Sequence, residues 1–323
     1  NLKIASQGDL TNSFNGKGGT LEGARVELAS AAGNIDNRNG GTIRQTGSAA
    51  LEISAPALSN TGGGVIGLEP IPQTPSQPAG GTSPGTGGGT GSGTTGPSTG
   101  PGTGTPTTGT GGAIAPAPYV APSPGTVTAA GAILNDGGRI YAGGPITLQS
   151  ANINNNGGTL SLASMAVNQP TFDNHGGTLN IANGFSANVG SFDNTGGKLN
   201  AGSLNIATSG DLINVDGTLS SATDANLTVG GKADNTRGSM SAAGALTANV
   251  AGATLNNSGT LASNQALTLN TRSLENTNGS IQSAQAGVQL GVTNTLTNGS
   301  GGSINAATDL GIQAGSLATG GSL

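Results

Sequence analysis

The chain of 323 residues contains no cysteine and no tryptophan, only 2% aromatic and 8% charged residues. Without cysteine there is no disulfide scaffold, no zinc–thiolate site and no cysteine nucleophile. So few aromatic and charged residues are not the composition of an ordinary enzyme. A net charge of −5 removes general attraction to nucleic acid or to anionic membrane. No stretch of eighteen apolar residues is present, so no helical membrane span is expected. No basic start followed by an apolar run opens the chain as a signal peptide would.

What is present is glycine, 61 residues of it, and regularly placed aliphatics within a 33% apolar content. A short pattern, apolar-x-Asn-x-Gly-Gly-x-apolar, returns about every twenty residues. It reads Ile133 to Ile140, Ile153 to Leu160, Phe172 to Leu179 and Phe192 to Leu199, with looser copies at Asn214, Asn235, Asn257, Asn276 and Asn298. A fixed period of this size marks a solenoid whose repeats pack on their neighbours. Three short alternating stretches fill each repeat. One follows the glycines (Leu160, Leu162, Leu261), and one lies mid-repeat (Leu204 with Ile206, Leu267 with Leu269). A third runs into the asparagine (Leu212, Leu255, Leu274, Leu296). No helical stripe competes. The expected fold is therefore all-β, a right-handed parallel β-helix, with roughly a dozen rungs stacked about 4.8 Å apart.

Corners between the strands call for residues that adopt positive φ or allow close backbone approach, hence the glycines. Asparagines repeated at one corner can form a hydrogen-bonded ladder along the axis. Phe172 and Phe192, one repeat apart, are expected to stack. The order is interrupted by a Pro/Gly/Thr/Ser-rich segment, expected to be a disordered loop over 68–126 extruded from one rung, with solenoid over 1–67 and 127–323. The run Leu2 to Asn12 matches Leu204 to Asn214, so the chain reads as a stretch of a longer array that begins inside a repeat.

The acids that could do chemistry are scattered. Asp36, Asp173, Asp193 and Asp234 each precede a signature asparagine and so share one edge, but only Asp173 and Asp193 come from adjacent repeats. A shared calcium or a carboxylate pair there is weighed against solvated turn residues, and the turn reading is preferred. His175 has no Cys or second His with which to bind zinc, and no serine has a hydrolase elbow around it. The glycine run 87–93 lacks the lysine and helix of a phosphate loop. Asn226-Leu227-Thr228 and Asn256-Asn257-Ser258 match the glycosylation tripeptide, a frequent chance match in such a composition. A threonine column (Thr20, Thr42, Thr159, Thr178, Thr218, Thr260) suggests ice binding, but Arg139, Lys198, Ser239, Ser280 and Ser303 interrupt it. No catalytic, cofactor-binding or metal-binding residue is therefore expected, and the chain reads as a non-enzyme.

Three pieces carry a family resemblance: Ile35 to Ile43 (Ile-Asp-Asn-Arg-Asn-Gly-Gly-Thr-Ile), Phe192 to Leu199 and the run Leu204 to Leu212. With their array they resemble the repeats of filamentous haemagglutinin and related two-partner secretion exoproteins of Gram-negative bacteria, including contact-dependent growth inhibition proteins. The resemblance implies export through an outer-membrane β-barrel partner and display at the cell surface as a β-helical filament. The filament would present a distal binding or toxin module to a host or target-cell receptor or glycan. The secretion domain with its Asn-Pro-Asn-Gly motif and a non-repetitive toxin region are not among these residues, and the long insertion departs from the family's usual repeats. The expected function is a structural shaft segment. A receptor- or carbohydrate-binding β-helix module is the alternative, and a polysaccharide-degrading β-helix enzyme comes third.

Overall fold

The structure is a computed structural model that describes residues 1–67, 125–141 and 146–323. Among them there is no helix; parallel strands form a β-solenoid of about 12 turns with rungs of about 21 residues. Among the described residues no helix is long and apolar enough to cross a membrane.

Strand register explains why the repeat spacing matters. Thr178–Asp193 pairs in parallel with Met165–Asp173 on one side and with Lys198–Thr208 and Leu212–Ile213 on the other. Outside the bend between Ile181 and Gly184, each paired residue therefore lies directly above its counterpart one repeat earlier. The position after the glycines makes a column of one aliphatic per rung: Leu21, Ile43, Ile66, Ile140, Leu160, Leu179, Leu199, Leu219, Met240, Leu261, Ile281 and Ile304. All are buried except Leu21, which packs against the core from a half-buried position. Period-two alternation does this, because one register sends every second side chain inward in every rung. Each fully buried Leu or Ile contributes about 1.5–3 kcal/mol relative to exposure.

Phe172 and Phe192 stack on adjacent rungs as expected, with ring centroids 5.0 Å apart. Phe185, not anticipated from spacing, joins them at 6.0 and 6.1 Å, so three rings fill the same stretch of core. All three lie within range for attractive tilted aromatic packing.

Two register expectations are corrected. Leu255 does not face inward; Thr254 does, buried and bonded through Oγ1 to Thr271 Oγ1 at 3.0 Å. Leu255 instead aligns with Asp234 on the outward column. The ladder asparagine of that rung is Asn256, not Asn257. The ladder position lies three residues before the second glycine, Gly259, and counting from Gly259 identifies Asn256.

The strands Glu52–Ala55, Leu58–Ser59 and Val65–Gly67 are hydrogen-bonded to Gly125–Leu134 and Arg139–Tyr141. The rungs on either side of the Pro/Gly/Thr-rich segment are thus direct neighbours in the stack. The loop expected over 68–126 lies outside the described residues except for Gly125 and Thr126, which already belong to a strand.

Candidate functional site

The most regular polar feature is the asparagine corner. Asn12, Asn37, Asn60, Asn135, Asn155, Asn174, Asn194, Asn214, Asn235, Asn256, Asn276 and Asn298 are all buried. Each Nδ2 donates to Oδ1 of the asparagine in the following rung, at 2.7–2.8 Å throughout. The last, Asn298, donates to the carbonyl of Ser322 at 2.7 Å. The second amide hydrogen is directed at corner carbonyls; Asn194 Nδ2 reaches Thr218 O at 3.1 Å and Gly197 O at 3.3 Å. An amide is the side chain that suits this position because it donates and accepts at once, so a buried polar column is satisfied along its length.

The two signature glycines have different causes. The first occupies left-handed backbone, as at Gly196 with φ 62°, and other residues take that place at Asp216 (φ 55°), Arg237 (φ 56°), Ser258 (φ 56°) and Asn278 (φ 55°). The second is glycine in all twelve ladder rungs, from Gly19 to Gly302. A Cβ at Gly197 would collide with the carbonyl oxygen of Asn174 and stand 2.6 Å from Oδ1 of Asn194. Positive φ is tolerated at a cost, whereas overlap with the ladder is not.

The acids are likewise tied to the backbone. Asp36, Asp173, Asp193 and Asp234 fall on one outward column, with Asp173 and Asp193 paired in adjacent rungs. Asp173 Oδ1 accepts the N–H of His175 at 2.9 Å, Asp193 Oδ1 that of Thr195 at 2.8 Å, and Asp234 Oδ1 that of Thr236 at 3.1 Å. Asp36 is ion-paired with Arg38. Asp173, Asp193 and Asp234 therefore each cap their own turn two residues on, while Asp36 holds the Arg38 side chain. His175 is exposed at that turn. Among the described residues, no group of three His, Cys, Asp or Glu could hold a metal ion.

Sequence reasoning missed a second set of acids. Asp9, Asp211 and Asp224 each accept a backbone N–H from the next rung, those of Asn34, Lys232 and Ala245, all at 2.8 Å. A glycine stands just before each of these N–H groups (Gly33, Gly231, Gly244), where a Cβ would strike the carboxylate. The signal was the repeated Gly-Asp-Leu at Gly8 and Gly210. Asp136 is the exception to this economy. Its Oδ1 is buried with no partner, and burial pushes its pKa up, opposed by the Asn156 backbone N–H and aided by the charge of Asp173.

Of the two glycosylation tripeptides, Asn256 has its amide committed to the ladder, while Asn226 is exposed. The threonine column does align from rung to rung, and Arg139 and Lys198 stand within it.

Stacked corners, acids that cap turns and an aliphatic core define a structural β-solenoid repeat protein. The profile of the Haemagglutinin repeat family matches residues 1–14, 124–171, 163–237, 241–299 and 285–323. The chain belongs to that family, and the resemblance to filamentous haemagglutinin repeats holds over those residues. Curated proteins and solved structures provide no match to the chain.

Proposed function

We propose that this chain is a shaft segment of a large secreted, surface-displayed filamentous adhesin or contact-dependent inhibition exoprotein, exported through an outer-membrane β-barrel partner. Its task is to hold a distal binding or toxin module away from the cell, and it performs no catalysis. The observation that carries this reading is the unbroken asparagine ladder, which ties each rung to the next through buried side chains in addition to the strand hydrogen bonds. Family membership supports an adhesin-type protein. Because inward positions and corners alone specify the fold, outward residues are free to vary, as suits a shaft built of many unequal repeats.

Because Val65–Gly67 pairs with Arg139–Tyr141 and Glu52–Ala55 with Gly125–Leu134, we take the stretch 68–124 as a loop extruded from one rung of a single solenoid rather than a linker between two. The test of export is to label the chain on whole cells and compare its position by electron microscopy with and without the secretion partner. Surface fibres that vanish without the partner are expected. Fibres, or soluble product, indifferent to the partner would remove the reading.

A further inference from the structure

Eight successive rungs share one sheet of five-residue strands, from 165–169 to 310–314, paired in register. The first, third and fifth residues of each strand turn toward the core, and the second and fourth turn outward. The outward positions make two columns. Six consecutive rungs place an exposed asparagine there: Asn168, Asn188, Asn205, Asn226, Asn249 and Asn270. Threonine, serine, glutamine, alanine and glycine fill the remaining outward positions, and none is charged or aromatic. Asn270 Nδ2 donates to Asn249 Oδ1 at 2.9 Å, which aligns these two amides along the axis. The other two outward faces of the same rungs do carry charge. Lys198 stands on one, and Asp173, Asp193, Asp234 and Glu275 stand on the other. In the first rungs the equivalent column holds Lys3, Glu27 and Glu52, so the charge-free face belongs to the later rungs. Arg272, the nearest charge, stands past these strands at the register shift after Thr271.

We propose that this uncharged face pairs with the same face of a second copy of the chain, so that two solenoids lie side by side. Each amide and hydroxyl on it both donates and accepts, which makes the face complementary to itself. An isologous two-fold contact requires that property. No ion has to leave water when the two faces meet, and no orientation brings like charges together. Stacked asparagines pack face to face with a second sheet, about 10 Å away, in dry interdigitated contacts. Seven steps of about 4.8 Å make the face about 34 Å long, and five-residue strands make it about 16 Å wide. That is about 500 Å² per copy and about 1,000 Å² for the pair, at the lower limit of a specific contact. Association of this chain is therefore weak and reversible, and it scales with the number of charge-free rungs. The backbone groups of the sheet are already paired with neighbouring rungs, so an added peptide strand finds no edge there. A charged partner finds no opposite charge on it. The proposal goes beyond the shaft reading and does not rest on it, because it concerns the purified chain.

Sedimentation velocity of the full 323-residue chain, from about 1 μM to about 200 μM, tests it. Monomer at the low end and a reversible dimer at the high end are expected. The dissociation constant should change less than about twofold between about 50 mM and about 500 mM salt, because no charge takes part. Asn226 lies near the middle of the face. Asn226→Lys and Asn226→Glu should each weaken the dimer about tenfold or more, and mixing the two variants should restore it. Thr247→Lys, one rung on, should act as Asn226→Lys does, while Asn180→Lys on a neighbouring face should change nothing. A chain that stays monomeric at about 200 μM overturns the proposal. So does a dimer that survives Asn226→Lys and Thr247→Lys, which would put the contact on another face or at the open ends of the stack. A dimer dissolved by salt overturns it as well. Unchanged circular dichroism in the variants keeps a folding defect from imitating a lost contact.

Discussion

The three rungs of 1–67 and the nine of 125–323 obey one scheme with different material. The early ladder asparagines are 25 and 23 residues apart; the later ones are 19 to 22 apart. The extra length sits partly at the corners. Between Asn12 and Gly19 a hairpin of Ser13–Phe14 and Lys17–Gly18 turns on Asn15 and Gly16 at positive φ and leaves Phe14 80% exposed. Asn37 and Asn60 open five-residue corners with two successive left-handed residues, where most later corners use four.

Charge differs as well. Ten charged residues lie in 1–67 and fourteen in the much longer 125–323. Five ion pairs tie the early rungs, among them Lys3–Glu27 at 2.7 Å and Arg44–Glu22, against two among the described later residues. Exposed pairs contribute about 0–1 kcal/mol each, so these charges shape the surface more than the fold. What the two regions share is the ladder, the second glycine and the aliphatic column. The lesson is that these three features are sufficient to keep a rung in the stack, and rung length and surface charge are free.

Breaking the later region at its aromatic core should have the largest effect. Phe192→Ala should cost about 3–5 kcal/mol by denaturant titration, because the fully buried ring leaves a cavity beside Phe172 and Phe185. No early rung has an equivalent, since its one phenylalanine, Phe14, is exposed; Phe14→Ala should cost less than about 0.5 kcal/mol. Next comes Gly197→Ala, about 2–3 kcal/mol from overlap with the ladder, while Gly196→Ala should cost only about 1 kcal/mol for its positive φ. Equal losses at the two glycines would dismiss the separate causes assigned to them.

Asn194→Ala and Asn37→Ala should each cost about 1–3 kcal/mol, since both strand a buried donor and an acceptor. Similar values in the two regions are expected, and a loss confined to one would show that the ladder is not shared. A smaller effect is expected at Asp136→Asn, placing asparagine where Asn156 stands one rung later. The raised pKa of Asp136 means its ionised form is disfavoured in the folded chain. Stability is therefore lost as pH rises from 3.8 through the raised value, and the penalty stays constant above it. The variant should melt slightly higher than the parent at pH 7 and identically below pH 3.8; a benefit that persists in acid would contradict this origin. Smallest of all, deleting 71–120 should change stability by less than about 1 kcal/mol, because loop length enters closure entropy only logarithmically. A lost β spectrum after that deletion would instead make the two sets of rungs dependent on the segment.

Much of this was legible in the residues. Phe172 and Phe192 had to stack once the period was known, and the asparagine corner followed from an amide recurring beside two glycines. Leu255 and Asn257 were misread because a repeat count locates a rung but not its register. Thr254 looks like a surface residue and Asn257 looks as suitable as Asn256, until strand pairing assigns inward and outward. Phe185 stayed hidden for a different reason, having no phenylalanine one period away to mark it. The capping by Asp9, Asp211 and Asp224 was visible as a motif, but its purpose depends on an N–H in the following rung, about twenty residues away. The uncharged face was not legible at all. Asn188, Asn226, Asn249 and Asn270 are ordinary polar residues in four separate repeats.

By itself the sequence determined the architecture, because period-two alternation within a period near twenty permits only a stacked parallel coil with its aliphatics inside. Tertiary structure alone decided which of two neighbouring residues faces the core, which glycine is sterically required, and which outward side chains share a face. Those outcomes depend on contacts between rungs, where a shift of one residue exchanges the two faces of a strand.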